Sequence, residues 1–400
     1  MDSNIEYFDI CIVGGSIAGN YLSYLLSNTD LKIAVIEEHE EIGLPFQCAG
    51  IISKKLSKLI ELPNDIVLNR VDVARLVAPS GKFIKLSGDE QPYIVDRVAL
   101  DKLFYEKVKD SETVIYFLGE KFKSLKRVIK NRQKQVLIKT SKRQLYSKLI
   151  IGCDGPLSSV GRSLGVKNKT IYGVQIRVRA NFNQQEASMY FDPRWKELFG
   201  WIVPEGKYIY RIGLASSKNP AKNLKLLLNK LKIKIENKID QQGGIIPIGI
   251  MNRVAFDNVL LLGDSACQVK ATTGGGIVML LSAASHAASC IEKCFNAKDF
   301  SKKIIKKYYE KPCLAKIGKQ LKLHYIIRIL LENFTNRDFE SFFQIVKASN
   351  IEKIISFYGD MDFPRELIFK MLKNSLVIRF LLRLIVRNPL SLLKIIKLLL

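Results

Sequence analysis

The residues with the clearest chemical content stand in the first forty positions. Gly14-Gly15-Ser16-Ile17-Ala18-Gly19 follows a short apolar run, 9–13, and precedes a helical pattern over 20–27; a second apolar run, 32–36, ends in Glu37 and Glu38. Backbone N–H groups at a helix start are unpaired donors at the positive end of the helix dipole, and they suit a pyrophosphate. In such a turn Gly14 permits the tight bend and Gly19 permits close helix–strand packing, while Glu37 can accept hydrogen bonds from ribose hydroxyls. Ser16 stands at the second glycine position, where its hydroxyl could itself bond phosphate. This unit speaks for a dinucleotide without saying which one.

Four later blocks carry further candidates. Gly43-Leu44-Pro45-Phe46-Gln47-Cys48-Ala49-Gly50 follows the second strand, and Val95-Asp96-Arg97 opens a helix bearing Leu100, Asp101 and Leu103. A buried-strand run over 149–153 ends in Asp154-Gly155, with Ser158, Ser159 and Arg162 beyond it. Another run, 258–262, ends in Gly263-Asp264, followed by Gly274-Gly275-Gly276 and by Ile277 at the start of an apolar helix. A carboxylate is a natural acceptor for polyol hydroxyls, and bare glycine N–H groups at a helix start suit the edge of a flat ring.

In this order the blocks resemble the flavoprotein superfamily built like para-hydroxybenzoate hydroxylase. The resemblance implies FAD: Asp264 on the ribityl hydroxyls, Arg97 near the cofactor phosphate, and Gly274, Gly275 and Gly276 beside the isoalloxazine. The finer wording is similar to the geranylgeranyl reductase family, which saturates isoprenoid double bonds. Gly43-x-Pro45-x-x-Cys48-x-Gly50 resembles that family's cysteine segment, and Gly263-Asp264-Ser265-Ala266-Cys267-Gln268-Val269-Lys270 its late flavin segment. Phe199-Gly200-Trp201-Ile202-Val203-Pro204 with Gly213-Leu214-Ala215 resembles its aromatic-x-Trp-x-Phe-Pro…Gly-x-Gly motif, with Phe, Val and Ala at three of the usual positions. Ala271-Thr272-Thr273 stands where the family has a proline. The similarity spans roughly residues 8–295. It implies cofactor contacts from Gly14, Gly15, Ser16, Ala18, Gly19, Glu37, Glu38, Cys48, Ala49, Arg97, Asp154, Gly155, Gly263, Asp264, Gly274, Gly275, Gly276 and Ile277. Phe199, Trp201 and Pro204 would line a substrate pocket.

The elements that must position these groups are legible as patterns. Alternating or β-rich runs at 174–180, 188–191, 201–203 and 208–214 predict an antiparallel sheet. The expected fold is α/β: a Rossmann-like FAD-binding domain with a central parallel sheet (1–71, 97–170 and 254–300), an antiparallel-sheet substrate domain (72–96 and 171–253) and a C-terminal helical region (301–400). Phe199 and Trp201 flank Gly200 on one face, as ordinary sheet core or as an apolar wall for a prenyl chain. Hydride delivery to an isolated alkene needs a proton at the other carbon. Stabilisation of developing positive charge in a dry pocket is the other route, and Cys48 is a candidate for redox or proton work near the flavin, with a buried structural thiol as the alternative reading. His286, on the apolar helix after the glycines, reads as a core or surface histidine.

Sixty-three Lys+Arg against 38 Asp+Glu give a formal charge of +25, which favours anionic partners or reflects a Lys- and Ile-rich bias. No helix-turn-helix, zinc module or aromatic-interleaved basic sheet supports nucleic acid. The seven cysteines form no CxxC pair, so no metal site is expected. A polar, acidic start leading directly into a strand points away from a secretory leader and to a reducing cytoplasm. No 18-residue uncharged apolar run is present, so no spanning helix is expected. In the last stretch Arg379, Arg383 and Arg387 fall on one helical stripe among Leu376, Val377, Phe380, Leu381, Leu384 and Ile385, and Pro389 separates a second segment with Lys394 and Lys397. That is the pattern of helices lying on the inner face of a cell membrane, or of a helical hairpin packed on the enzyme. With a single nucleotide fingerprint occupied by FAD, the electron donor is NAD(P)H bound without such a fold or a ferredoxin-like protein. A lipid-directed monooxygenase and a membrane-attached electron-transfer flavoprotein are the rival functions.

Overall fold

The computed structural model describes residues 5–88, 91–130, 133–251 and 253–399. Its centre is a parallel sheet in the spatial order Val114–Phe117, Ile33–Ile36, Glu6–Val13, Gln144–Gly152, Val259–Leu261. Register is set by runs of apolar residues buried on both faces: Ile12 lies opposite Ile151 on one side and Val35 on the other. Such continuous apolar strands need helices on both faces. Ile17–Leu26 and Ile277–Ala297 supply two of them, packed against each other. By length and composition the helix Ile277–Ala297 could cross a bilayer. Its most apolar window is 72% buried, however, and it serves as a core helix. An antiparallel hairpin, Phe122–Lys130 and Gln133–Thr140, extends the sheet from Gln144–Gly152.

A second, seven-stranded sheet runs Lys238–Ile248, Lys169–Arg179, Ile209–Ser216, Gly200–Gly206, Glu186–Tyr190, Val73–Val77, Phe83–Ser87. All its pairings are antiparallel except Glu186–Tyr190 with Val73–Val77, which lie parallel. Two early strands therefore join it from the 72–96 segment. Tyr93–Val95 instead pairs with Ile51–Ile52 and Val67–Arg70 in a small separate sheet. The fold is thus α/β with a Rossmann-like parallel sheet, an antiparallel sheet and C-terminal helices. That last region starts as one helical run over 302–331 containing two wide π turns, Lys306–Glu310 and Leu314–Gly318. It then breaks into shorter helices around a cluster of Phe334, Phe339, Phe343, Val377, Phe380 and Leu384.

Sterics are tight at the crossover at Gly14. Gly14 has φ +107°, and a Cβ there would stand 2.4 Å from the Cys153 carbonyl oxygen. A Cβ on Gly19 would stand 1.9 Å from the Gly14 carbonyl oxygen, backbone against backbone. Gly19→Ala is therefore expected to lower stability by about 1–3 kcal/mol through forced separation of helix and strand. An unchanged urea midpoint and slope would show that this packing is not the constraint described.

Candidate functional site

A cavity of about 700 Å³ opens at the carboxyl ends of the parallel strands, where the strand order reverses, and reaches across to the antiparallel sheet. At one end Glu37 accepts a hydrogen bond from Gly15 N–H at 2.7 Å and another from His39 N–H at 2.9 Å. Its carboxylate thus shapes the glycine turn and also faces the cavity. Ser16 is the N-cap of Ile17–Leu26 but makes no side-chain cap. The cap comes from elsewhere: Asp101 Oδ1 accepts from Ile17 N–H at 3.0 Å and from Arg97 Nη2 at 2.8 Å. Both side chains are nearly buried, and burial pushes the Asp101 carboxyl up against the opposing pull of Arg97.

Arg97 Nε is buried with no partner. A guanidinium with an unclaimed donor in a cavity wall fits an anionic oxygen such as a phosphate. Beyond Arg97 lies Asp264, near enough for the two charges to interact. No protein donor among the described residues reaches the Asp264 carboxylate, so it is free to accept from ligand hydroxyls. Burial pushes it up to about 6. Next come Gly276, where a Cβ would stand 3.5 Å from Asp264 Oδ1, and Gly275, where it would stand 3.4 Å from Lys270 Nζ. These glycines expose backbone to the cavity ahead of the Ile277–Ala297 helix.

Most of the residues marked out by the sequence meet on this one surface: Gly14, Gly15, Ser16, Ala18, Glu37, Glu38, Cys48, Ala49, Arg97, Asp154, Gly155, Asp264, Gly274, Gly275, Gly276, Ile277, Phe199 and Trp201. Some expectations need correction. Gly19 and Gly263 stand behind the wall, where their lack of a side chain serves packing. Asp154 faces the cavity, and its oxygens also accept from the hydroxyl of Ser158, the N-cap of the Ser159–Ser163 helix, and from Val160 N–H in its first turn. Glu38 is paired with Lys121. Pro204 does not line the cavity: along Gly200–Gly206 side chains alternate, so Trp201 and Val203 face it while Pro204, three positions from Trp201, cannot.

Cys48 and Trp201, from distant parts of the chain, are joined by Gln175. Trp201 Nε1 donates to Gln175 Oε1 at 3.1 Å, and Gln175 Nε2 donates to the Cys48 carbonyl oxygen at 3.0 Å. The buried Arg211 holds the next residues, donating to the Ala49 and Val95 carbonyl oxygens and to Glu205. Gly50 leaves space for this guanidinium: a Cβ would meet Arg211 Nη1 at 1.9 Å. The Cys48 sulfur accepts from Gly50 N–H at 3.3 Å. Gln175, Arg211 and Asp362 were not singled out in the sequence, since each acts through a long-range contact that no local pattern marks, and Lys270 appeared only as the end of the late flavin segment, without a role.

The Asp264 shift has a testable sign. Its carboxyl is raised from 3.8 to about 6, so the folded ligand-free chain binds more protons than the unfolded chain between those values. The contribution to stability is complete below 3.8 and lost as pH rises through about 6. Urea unfolding should therefore show ligand-free wild type losing stability relative to Asp264→Asn across that window. A constant difference across the window would contradict the burial described.

The family described as lycopene cyclase protein matches residues 9–378. An uncharacterized protein of Methanocaldococcus jannaschii is 29% identical over 93% of this chain and 96% of its own length. Digeranylgeranylglycerophospholipid reductase 1 of Methanococcoides burtonii is 25% identical over 87% of this chain and 90% of its own length. Among solved structures, a geranylgeranyl bacteriochlorophyll reductase-like protein from Thermoplasma acidophilum superposes with a TM-score of 0.80 at 20% identity, covering 97% of this chain and 100% of that one. With the glycine turn, the Gly-Asp segment and the Cys48–Trp201 link on one cavity, the chain belongs to the family described as lycopene cyclase protein.

Proposed function

We propose that the protein binds FAD along the cavity and saturates C=C bonds of geranylgeranyl chains in isoprenoid membrane lipids or their precursors. The observation that carries this reading is the unbroken run of suitable groups: Glu37 for ribose, the helix start at Ser16 and Ala18 with Arg97 for pyrophosphate, Asp264 for ribityl hydroxyls, and bare glycines for a ring. Reduced flavin supplies a hydride when bound. The chain must then hold the alkene in a dry place and provide the proton. Phe199, Trp201, Leu198 and Ile246 form the apolar wall that excludes water. Gln175 fixes the Trp201 ring against the Cys48 segment, and we assign the proton to the Cys48 thiol on the same wall. The names of the archaeal relatives support the lipid substrate.

Anaerobic incubation with chemically reduced FAD and a geranylgeranylated phospholipid tests the reading. Saturated product, at two electrons and two protons per double bond, is expected without oxygen and without any protein partner. An oxygen requirement with an oxygenated product would indicate a monooxygenase instead. Cys48→Ser should cut alkene reduction at least tenfold with flavin content intact; unchanged reduction would remove the thiol from the chemistry.

The C-terminal helices favour a peripheral position on the inner face of the cell membrane. On Ser375–Arg387, Val377, Phe380 and Leu384 are buried, while Ile378, Leu382 and Val386 are exposed at i, i+4, i+8 beside Arg379 and Arg383. Arg387, expected on the same basic stripe, instead pairs with Asp338 at 2.6 Å. Leu390, Leu393, Phe357 and Phe369 add exposed apolar surface. Apolar side chains flanked by cations suit an anionic bilayer surface. Vesicles rich in anionic lipid should sediment the protein, and Leu382→Asp with Val386→Asp should release it. Equal sedimentation of wild type and variant would refute this face.

A further inference from the structure

The cavity wall can be read as a sequence of contacts. Glu37 touches the Gly15 N–H, and Asp101 touches the Ile17 N–H two residues on. Arg97 joins Asp101 and lies near Asp264. Asp264 lies beside Gly276, and Gly275 beside Lys270. A dinucleotide laid with its adenosine at Glu37 and its pyrophosphate at the Ser16–Ala18 helix start and Arg97 therefore brings its far end to Gly275 and Lys270.

At that far end stands a buried ion pair that the chemistry above does not use. Lys270 Nζ lies 2.6 Å from Asp362 Oδ1 and 3.2 Å from the Met361 carbonyl oxygen. Both charged side chains line the cavity, with Lys270 5% and Asp362 0% exposed. An ammonium has three protons, and these two acceptors take two of them. The other Asp362 oxygen is buried without a partner. The pair is held from behind. His324 Nε2 is 3.2 Å from the Asp362 carbonyl oxygen, which can only accept, so Nε2 carries the proton and Nδ1 accepts from the Thr272 hydroxyl at 2.6 Å. Burial, then the Lys270 charge, lowers His324 to about 4. His324 is thus a neutral strut, and Lys270 is the cation of this end of the cavity. A buried lysine left with a spare donor is costly unless a ligand uses it.

We infer that Lys270, positioned by Asp362 and His324, is the charge that stabilises the reduced ring of the bound flavin. This rests on the reading of the cofactor as FAD. Two electrons and one proton from the donor leave the reduced isoalloxazine with one net negative charge over its pyrimidine portion, while the oxidised ring is neutral. A fixed cation in a low-dielectric wall favours the reduced form. Asp362 opposes that effect while holding the lysine in place, so the two residues should act with opposite signs.

The test is a dye-coupled potentiometric titration of the FAD-loaded protein. Lys270→Met should weaken binding of reduced relative to oxidised FAD about tenfold, a midpoint potential about 30 mV lower for the two-electron couple. Lys270→Arg should recover most of it, and Asp362→Asn should raise the potential above wild type. An unchanged potential in flavin-bearing Lys270→Met, or a fall in Asp362→Asn, overturns the inference. If Lys270→Met loses its flavin, the sign of the Asp362→Asn shift decides. Wild type that binds no FAD would instead refute the cofactor reading, a separate outcome.

Discussion

The buried Asp101 carboxylate is the constraint on which the site depends. It caps the helix at the glycine turn through Ile17 N–H and is neutralised by Arg97, four residues earlier on its own helix. A buried carboxylate without a partner costs several kcal/mol, so the two helices and the guanidinium must come together as a unit. Once they do, Arg97 lines the cavity with its Nε unpartnered and sits near Asp264 on the last parallel strand's turn. Strand ends more than a hundred residues apart in sequence are thereby brought around one ligand.

The same logic explains which parts of the site were legible in the sequence. Gly14, Gly19 and Glu37 could be read because a tight turn, a close helix and a strand-end acid are local consequences of residue type. The parallel strands could be read because apolar runs buried on both faces have no other home. Asp154 stands at a strand end and lines the cavity, and its oxygens also hold Ser158 and Val160. Pro204 misled because the motif is contiguous while a strand alternates its faces. Gln175 and Arg211 were silent, since a buried polar residue in a strand carries no periodic mark. The Lys270–Asp362 pair spans 92 residues and joins regions that the sequence placed apart.

That pair changes the status of the C-terminal region. The segment bearing Met361 and Asp362 forms part of the cavity wall, and His324 and Arg328 from the 302–331 helical run brace the loop before the glycines, Arg328 by donating to the Ala271 carbonyl oxygen at 2.9 Å. The outer side of the same region carries the exposed apolar and basic stripe. The exposed apolar and basic stripe and the cavity wall thus lie on two sides of the C-terminal region. This arrangement suits an enzyme whose substrate has a membrane-resident chain and a reaction that must exclude water.

The proposed activity requires reduced flavin in this cavity to pass its electrons to an isolated alkene. The most direct measurement is rapid anaerobic mixing of the reduced, FAD-loaded protein with a geranylgeranylated phospholipid, following flavin absorbance. Return of the oxidised spectrum without oxygen, one flavin for each double bond saturated, is the expected result. A flavin that stays reduced in the presence of the lipid and reoxidises only when oxygen is admitted would contradict it.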